Sequence, residues 1–278
     1  MYSARFVTEA GRIFDFGYQS GTIFDISDLS GVGATISTSQ GFNQVGETVE
    51  GYFVGSVTRQ ISGKFLQSVN DKKRMMLQVF TIGTSGKLYF NEKFYANCTV
   101  KTTPAFGHGD KVRNFALELL FPYPYWLSSD GRVYITGEYI PTFRFPVNYA
   151  EPHRFGIKKP SAFTNCFNDG VVAVDFRAEF TSLAAVSNYG IVNAVTLEEL
   201  KFNDTLTLGE RLVCWRENGR LKVTKNGEDA FSLLDDTSEL FQMYVGENPI
   251  KPIAETGEDD LVVSISFSDT YSGVFDGM

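Results

Sequence analysis

The sequence predicts a mainly β fold, because apolar and polar side chains alternate along many of its segments. In Val171–Phe180 one face collects apolar side chains, while three charged side chains fall on the other. Leu261–Ser268 alternates in a similar way between apolar residues and serines. This period of two residues is typical of a strand with one buried and one solvated face. The Asn-Gly pairs at 218–219 and 226–227 are typical of the tight turns that join antiparallel strands.

One segment, residues 70–80, departs from this pattern and predicts a short helix. Asn70 or Asp71 is a suitable N-terminal cap, and the apolar residues that follow recur at helical spacing. These apolar residues are Met75, Met76, Val79 and Phe80. A single helix among many strands favours an α+β or sandwich arrangement over a parallel α/β enzyme.

The charge of the chain is unevenly distributed. It has 278 residues, 25 basic and 33 acidic, with a formal net charge of −8. Residues 1–130 contain 12 basic and 11 acidic side chains (net +1), whereas residues 131–278 contain 13 and 22 (net −9). Pro122, Pro124 and the turn residues 128–131 interrupt the strand pattern at the same place. We therefore expect two domains, residues 1–130 and residues 131–278.

The composition excludes several classes of site. Two histidines, His108 and His153, cannot form a three-histidine metal site and leave few partners for a catalytic nucleophile. The cysteines, Cys98, Cys166 and Cys214, are too widely spaced for a zinc motif and are predicted to pack as small apolar residues. A net acidic chain is a poor candidate for nucleic-acid binding. We expect no catalytic residue, no metal, no cofactor and no membrane-spanning segment.

Two aromatic residues are candidate contacts for a carbohydrate or a protein partner. Trp215 lies in the predicted strand Leu212–Arg216, where an exposed indole is able to stack on a sugar ring. Apolar residues occupy both faces of that strand, so packing of Trp215 in the core stays open as the alternative. Tyr244, at the start of the segment Tyr244–Ile250, is the second candidate.

Four short segments follow one another along the chain in an order that is typical of a known family. They are Phe-Pro-Tyr-Pro-Tyr-Trp at 121–126, Asn-Asp-Gly at 168–170, Gly-Glu-Asn at 246–248 and Tyr-Ser-Gly at 271–273. Together with the order of the strands and the helix, they resemble the distal tail protein of siphophages. These are phages with long non-contractile tails, common among the prophages of Gram-positive bacteria. The resemblance covers nearly the whole chain.

The resemblance implies a structural virion protein without enzymatic activity. Members of this family form a homohexameric ring at the distal end of the tail, which joins the tail tube protein to the tail-tip or baseplate hub protein. Residues 1–130 would be the ring-forming domain with its one helix. Residues 131–278 would be a galectin-like antiparallel β-sandwich, which docks receptor-binding or other baseplate proteins. The N-terminal residues contain no apolar segment typical of a signal peptide, so we expect assembly in the cytoplasm of the bacterial host. We expect no membrane and no specific nucleic acid as partner.

The charge distribution is compatible with this expectation. A near-neutral domain allows six copies to lie close together, whereas copies with a net charge of −9 repel each other and suit the periphery. The stretch Ser27–Glu50 is long, rich in glycine and short of core residues. We expect it to be an extended arm that reaches a neighbouring copy.

Two other functions remain as alternatives. A carbohydrate-binding module would attach to host cell-wall glycans through Trp215 or Tyr244. A glycoside hydrolase would use two carboxylates from the acidic clusters Asp235-Asp236 and Glu258–Asp260, although solvated turns are the more common role of such clusters.

Overall fold

The computed structural model describes residues 2–107, 113–136, 139–141, 156–158, 163–217, 219–239 and 241–274. These residues form two units, each with its own apolar core. The first unit contains the described residues up to Asp130 and residues 270–274. The second unit contains those within Gly131–Asp269.

Ten strands and one helix make up the N-terminal part of the first unit. The strands are β1 (Ser3–Thr8), β2 (Ile13–Gly17), β3 (Thr22–Ile26), β4 (Thr35–Ser39), β5 (Thr48–Phe53), β6 (Val57–Phe65), β7 (Ser85–Phe90), β8 (Phe94–Phe106), β9 (Asn114–Phe121) and β10 (Trp126–Ser128). The helix α1 spans Val69–Val79. Strands β4 and β5 form a separate hairpin, and the other strands belong to one large sheet.

The large sheet of the first unit is antiparallel and has the strand order β2-β1-β7-β8-β9-β6-β3, with β10 paired to β8. Its outer strands β2 and β3 are consecutive in the chain and contact each other, so the sheet curls around its core. Phe6 and Phe80 stack in this core with ring centroids 4.8 Å apart. None of the helices in the described residues has the length and apolar character needed to cross a membrane.

The predicted helix is present, but it starts earlier than the predicted caps. Ser68, not Asn70 or Asp71, precedes the first helical residue and makes no side-chain capping hydrogen bond. Its left-handed backbone (φ 52°) turns the chain out of β6, and its carbonyl accepts the first hydrogen bond from the Lys72 amide at 3.0 Å. The turn geometry, and not a capping side chain, therefore sets the helix start. Met75 is half exposed, because the inward face carries the next residue, Met76, instead.

Twelve strands make up the second unit. They are β11 (Arg132–Ile135), β12 (Tyr139–Pro141), β13 (Gly156–Lys158), β14 (Thr164–Asn168), β15 (Arg177–Ser182), β16 (Val186–Asn193), β17 (Glu199–Leu206), β18 (Arg211–Glu217), β19 (Arg220–Lys225), β20 (Glu228–Asp229), β21 (Gly246–Thr256) and β22 (Leu261–Phe267). Short 3₁₀ turns occur at Phe231–Leu233 and Glu258–Asp260.

The second unit is an antiparallel β-sandwich, as the fold class predicted. One sheet has the order β11-β22-β15-β18-β19-β20, the other has the order β14-β21-β16-β17, and β12 pairs with β13. Side chains of both larger sheets share one core, in which Phe180 and Phe202 pack edge to face at 5.3 Å. The alternation predicted for Leu261–Ser268 is confirmed by β22, where Leu261 and every second residue after it are buried.

The strand predicted over Val171–Phe180 is shorter in the structure, because β15 begins only at Arg177. The Asn168 side chain donates to the carbonyls of Val172 (3.0 Å) and Met243 (2.8 Å). These bonds hold the chain before β15 in a turn, so Val174 forms only an isolated bridge to Met243.

Both Asn-Gly pairs lie where the structure reverses direction. Strand β18 pairs with β19 up to Glu217 and Arg220, which leaves residues 218–219 as the connecting turn. Gly219 has a φ of 75°, and Asn218 lies outside the described residues. Asn226 and Gly227 both have positive φ, 53° and 92°, between β19 and β20. The predicted hairpins are confirmed.

The last described residues of the chain belong to the first unit, and not to the second as the expected division into 1–130 and 131–278 implied. A last strand, β23 (Thr270–Tyr271), pairs with β10 of the first unit, with Tyr271 opposite Trp126. The Tyr271 ring also packs edge-on against Phe94 at 5.6 Å. Backbone pairing and aromatic packing therefore return residues 270–274 to the first unit, and the second unit ends at Asp269.

Arg59 is a fully buried charge in the core of the first unit. Its guanidinium lies 4.5 Å from the Phe121 ring centroid and 5.1 Å from that of Trp126. Nε donates to the carbonyl of Asp28 (3.0 Å), and Nη2 donates to that of Pro124 (2.8 Å). The third nitrogen, Nη1, has no hydrogen-bond partner among the described residues. Desolvation by burial lowers the pKa of Arg59 to about 10, although the negative charge of Asp28 acts in the opposite direction.

We expect Arg59→Lys to lower the free energy of unfolding at neutral pH by about 2 kcal/mol, because an ammonium cannot reproduce the two-carbonyl fork or the stacking. The loss should shrink as the pH rises towards about 10. A buried amine releases its proton at lower pH than the same amine in the unfolded chain, so raising the pH favours the folded variant.

Urea denaturation of the wild type and of this variant at several pH values measures both effects. Arg5→Lys is the matched control, since Arg5 lies in an exposed ion pair, and it should change stability by less than about 1 kcal/mol. A deficit for Arg59→Lys that is the same at every pH would contradict the assigned burial.

The three cysteines are buried and reduced, as predicted. Burial raises the pKa of Cys98, Cys166 and Cys214 to about 12 each, so almost none of the reactive thiolate is present near neutrality.

We expect a thiol reagent such as Ellman's reagent to label three thiols rapidly in denaturant and none rapidly in the folded protein. Rapid labelling of one thiol in the native state would show that its strand opens or that the residue is exposed.

Candidate functional site

The hairpin of β4 and β5 carries the most exposed apolar side chains of the first unit. Phe42 and Val45, in its turn, are fully exposed at 99% and 101%. Ile36 pairs with Tyr52 across the strands, and both are more than half exposed. A two-stranded hairpin alone is at best marginally stable in water. This hairpin occupies most of the stretch expected to be an arm, and its apolar side chains are available to a partner.

Charges are segregated along the sequence of the first unit. Residues 13–58, which include the hairpin, contain five acidic and no basic residues. Residues 59–130 contain ten basic and five acidic residues. The helix belongs to this basic part, and Arg74, Met75 and Leu77 are exposed on it. One copy of the unit therefore offers an acidic apolar arm, and a part of the chain that is rich in basic residues and carries a helix with exposed Arg74, Met75 and Leu77.

A groove of about 470 Å³ lies beside the outer strand β2 and its neighbour β1. Tyr2, Tyr18 and Tyr89 contribute aromatic surface to it. At its floor Arg5 pairs with Asp15 (Nε to Oδ1, 2.6 Å). The hydrogen bond that Arg5 donates to the Asp15 carboxylate raises the pKa of Arg5, so the guanidinium stays charged and is already paired with an acidic neighbour. The groove suits an aromatic or polar contact with another molecule.

Trp215 lies on the outward face of the six-stranded sheet, opposite the core residue Cys214. It is half-buried, and the Arg177 guanidinium lies over its ring at 5.4 Å from the centroid. Arg177 is also its cross-strand neighbour on β15. Trp215 is therefore not a residue of the inner core, but a sugar would have to compete with Arg177 for its ring. Its role in carbohydrate or partner binding stays a prediction.

Tyr244 lies just before β21 of the four-stranded sheet and contacts the turn between β16 and β17 of the same sheet. Its hydroxyl donates to Glu198 Oε1 at 3.0 Å, and the ring is 40% exposed. The hydrogen bond to Glu198 raises the pKa of Tyr244, and the negative charge of Glu239 acts in the same direction. The partners of Tyr244 and Trp215 come from opposite sheets, so the two aromatic candidates do not form one site.

Val195 and Leu197, which the sequence did not single out, lie beside Tyr244. They belong to the turn between β16 and β17, and they are 72% and 75% exposed. Glu198 joins the two segments, because Oε1 accepts from Tyr244 and Oε2 accepts from the Thr196 hydroxyl at 2.6 Å. A signal in the sequence was present: two apolar residues occupy a turn where polar residues are usual.

The acidic clusters lie in turns. Glu258–Asp260 forms a 3₁₀ turn, and Glu258 pairs with Lys251 at 3.3 Å. The Asp235 carboxyl accepts from the hydroxyl of Thr237 and from its backbone amide (2.8 Å), and these two hydrogen bonds lower the pKa of Asp235. Within the described ranges no group of three potential metal ligands occurs. His108 and His153 lie outside the described residues.

Comparison with known proteins gives matches in structure but not in sequence. No protein-family model matches the chain, and no curated protein matches it in sequence. The fold is similar to the Dit protein of phage SPP1, described as a paradigm of the hub adsorption apparatus in phages that infect Gram-positive bacteria. That match has a TM-score of 0.69 at 10% identity and covers 97% of this chain and 99% of the SPP1 protein.

Two structures of the phage P2 baseplate in its activated conformation also contain a similar chain. The TM-scores are 0.54 with Ca and 0.53 with Sr, each at 10% identity over 96% of this chain and 98% of the other. The resemblance noted in the sequence is thereby confirmed at the level of the fold. This chain shares the fold of the SPP1 Dit protein along nearly its whole length.

Proposed function

We propose that this chain is a structural subunit of a phage tail tip, without enzymatic activity. In this role it forms a homohexameric ring at the distal end of the tail and joins the tail tube protein to the tail-tip or baseplate hub protein. One observation carries the proposal: the fold matches the SPP1 Dit protein over 97% of this chain and 99% of that one. The virion is its location, after assembly in the cytoplasm of the host.

In this proposal the first unit makes the ring. A closed ring needs two different surfaces on each copy that fit each other. The acidic apolar hairpin of β4 and β5 supplies one surface, and the basic part of the next copy, including α1, supplies the other. The opposite charges favour this head-to-tail contact over a contact between two identical surfaces.

The second unit lies at the periphery in this proposal and docks receptor-binding or other baseplate proteins. Residues 131–278 have a net charge of −9, which opposes close contact between copies of this unit. The galectin-like character of this sandwich stays an expectation from the resemblance.

Native mass spectrometry of the full-length protein, with negative-stain electron microscopy, tests the ring directly. We expect a six-fold ring at micromolar protein concentration. A purified protein that is folded without other tail proteins, and yet remains monomeric at every accessible concentration, would overturn the proposed ring.

The hairpin contact has its own test. We expect Val49→Asp combined with Tyr52→Asp to raise the protein concentration needed for half-assembly at least about tenfold, because each apolar side chain is worth about 1.5–3 kcal/mol when buried. The folded monomer should be retained, since both side chains are exposed. Leu208→Asp, at an exposed position of the second unit, is the control and should leave assembly unchanged. Wild-type assembly of the double variant would exclude the hairpin as a ring contact.

A further inference from the structure

The second unit has a cluster of exposed apolar side chains at one end of its four-stranded sheet. We call Val195, Leu197, Tyr244 and Val245 the apolar end. Their exposed fractions are 72%, 75%, 40% and 55%. Single exposed apolar residues are ordinary, but a contiguous group is typical of an interaction site.

The backbone that presents this group is well fixed. Asn193 Oδ1 accepts from the amide of Val195 at 3.0 Å, and the Asn193 carbonyl accepts from the amide of Leu197 at 2.8 Å. The Ala194 amide donates a hydrogen bond to the Pro249 carbonyl in β21 at 2.9 Å. The apolar end is therefore held in place before any partner arrives, which lowers the entropy lost on binding.

Leu197 is held in an unfavourable backbone conformation. Its φ is 63°, in the left-handed region that leucine rarely adopts, and its side chain points to solvent at 75% exposure. Glycine or asparagine would suit this turn better. The leucine thus contributes nothing to the core that would explain its presence, and strain of this kind is found where a side chain is needed for contact.

Three acidic side chains, Glu198, Glu239 and Glu247, lie next to residues of the apolar end. Glu198 and Glu239 act on the Tyr244 hydroxyl, and Glu247 is exposed two residues after Val245. None of these three carboxylates has a salt bridge within the described part of the chain. A second copy of this unit would bring the same charges face to face, which disfavours self-association here. A partner with positive charges next to apolar side chains fits both the cluster and its rim.

We propose that the apolar end is a docking surface for a segment of another protein that carries aliphatic side chains flanked by lysine or arginine. In a tail tip this segment belongs to the protein docked by the second unit, so the identity of the partner rests on the proposed function. The chemistry of the surface does not depend on that function.

A selection from a library of random peptides of about a dozen residues, displayed and panned against the full-length protein, tests the proposal. Peptides that also bind the Val195→Ser/Leu197→Gly double variant are removed by counter-selection. We expect the remaining peptides to combine aliphatic residues with lysine or arginine. An absence of peptides that distinguish the two proteins overturns the proposal, and so does enrichment of acidic or uncharged sequences.

The affinity of an enriched peptide then separates the apolar and charged contributions. We expect Leu197→Gly to weaken binding about tenfold, and Glu198→Gln with Glu239→Gln to weaken it mainly at low salt. Leu208→Ser and Glu228→Gln, at exposed positions elsewhere in the unit, are the matched controls and should leave the affinity unchanged. Equal weakening by the control variants would contradict a localised surface.

Leu197→Gly also separates binding from folding. Glycine accepts the left-handed backbone without strain, so the midpoint of urea unfolding should stay the same or rise while peptide affinity falls. A lower midpoint would show that Leu197 serves the fold. Native mass spectrometry on the same samples reports the ring separately. A ring without peptide binding refutes this inference alone, whereas binding without a ring refutes only the proposed tail-tip role.

Discussion

The buried guanidinium of Arg59 is the interaction on which the first unit depends most. It joins three parts of the chain that are distant in sequence: β6, the turn at Asp28 and the proline-rich segment at Pro124. Phe121 and Trp126 enclose it, and Trp126 continues into the strand that pairs with the end of the chain. Carbonyl oxygens and aromatic faces replace water around the charge, so the surrounding backbone must stay in place to keep it solvated.

The sequence predicted those parts of the fold that local patterns determine. The alternation in Leu261–Ser268 and the two Asn-Gly turns gave the right strands and hairpins, because one face of each strand meets the core and the turns need positive φ. The late start of β15 follows from hydrogen bonds that Asn168 donates to nearby Val172 and to Met243, which is 75 residues further along the chain. The predicted N-terminal caps of α1, Asn70 or Asp71, were wrong for a similar reason, because the turn at the end of β6 sets the helix start at Ser68.

The candidate surfaces were harder to predict, because exposure is a tertiary property. Apolar residues on both faces of β18 left the position of Trp215 open until its neighbours on β15 were known. The role of Tyr244 stays a prediction, and its contact with Glu198 arises from the meeting of two segments 46 residues apart. The arm expected at Ser27–Glu50 stays a prediction, and the pairing of β4 with β5 depends on a register that includes a bulge.

The return of the chain to β10 makes the second unit an insertion within the first, not an appendage at its end. Two peptide connections, before Gly131 and after Asp269, therefore carry any pulling force, and cleavage of one of them leaves the unit tethered. Arg132 and Asp269 form an ion pair at 2.5 Å between the start and the end of the insertion. Exchange of this unit between related genomes requires two recombination junctions, and a stop codon after residue 130 removes a strand from the remaining sheet.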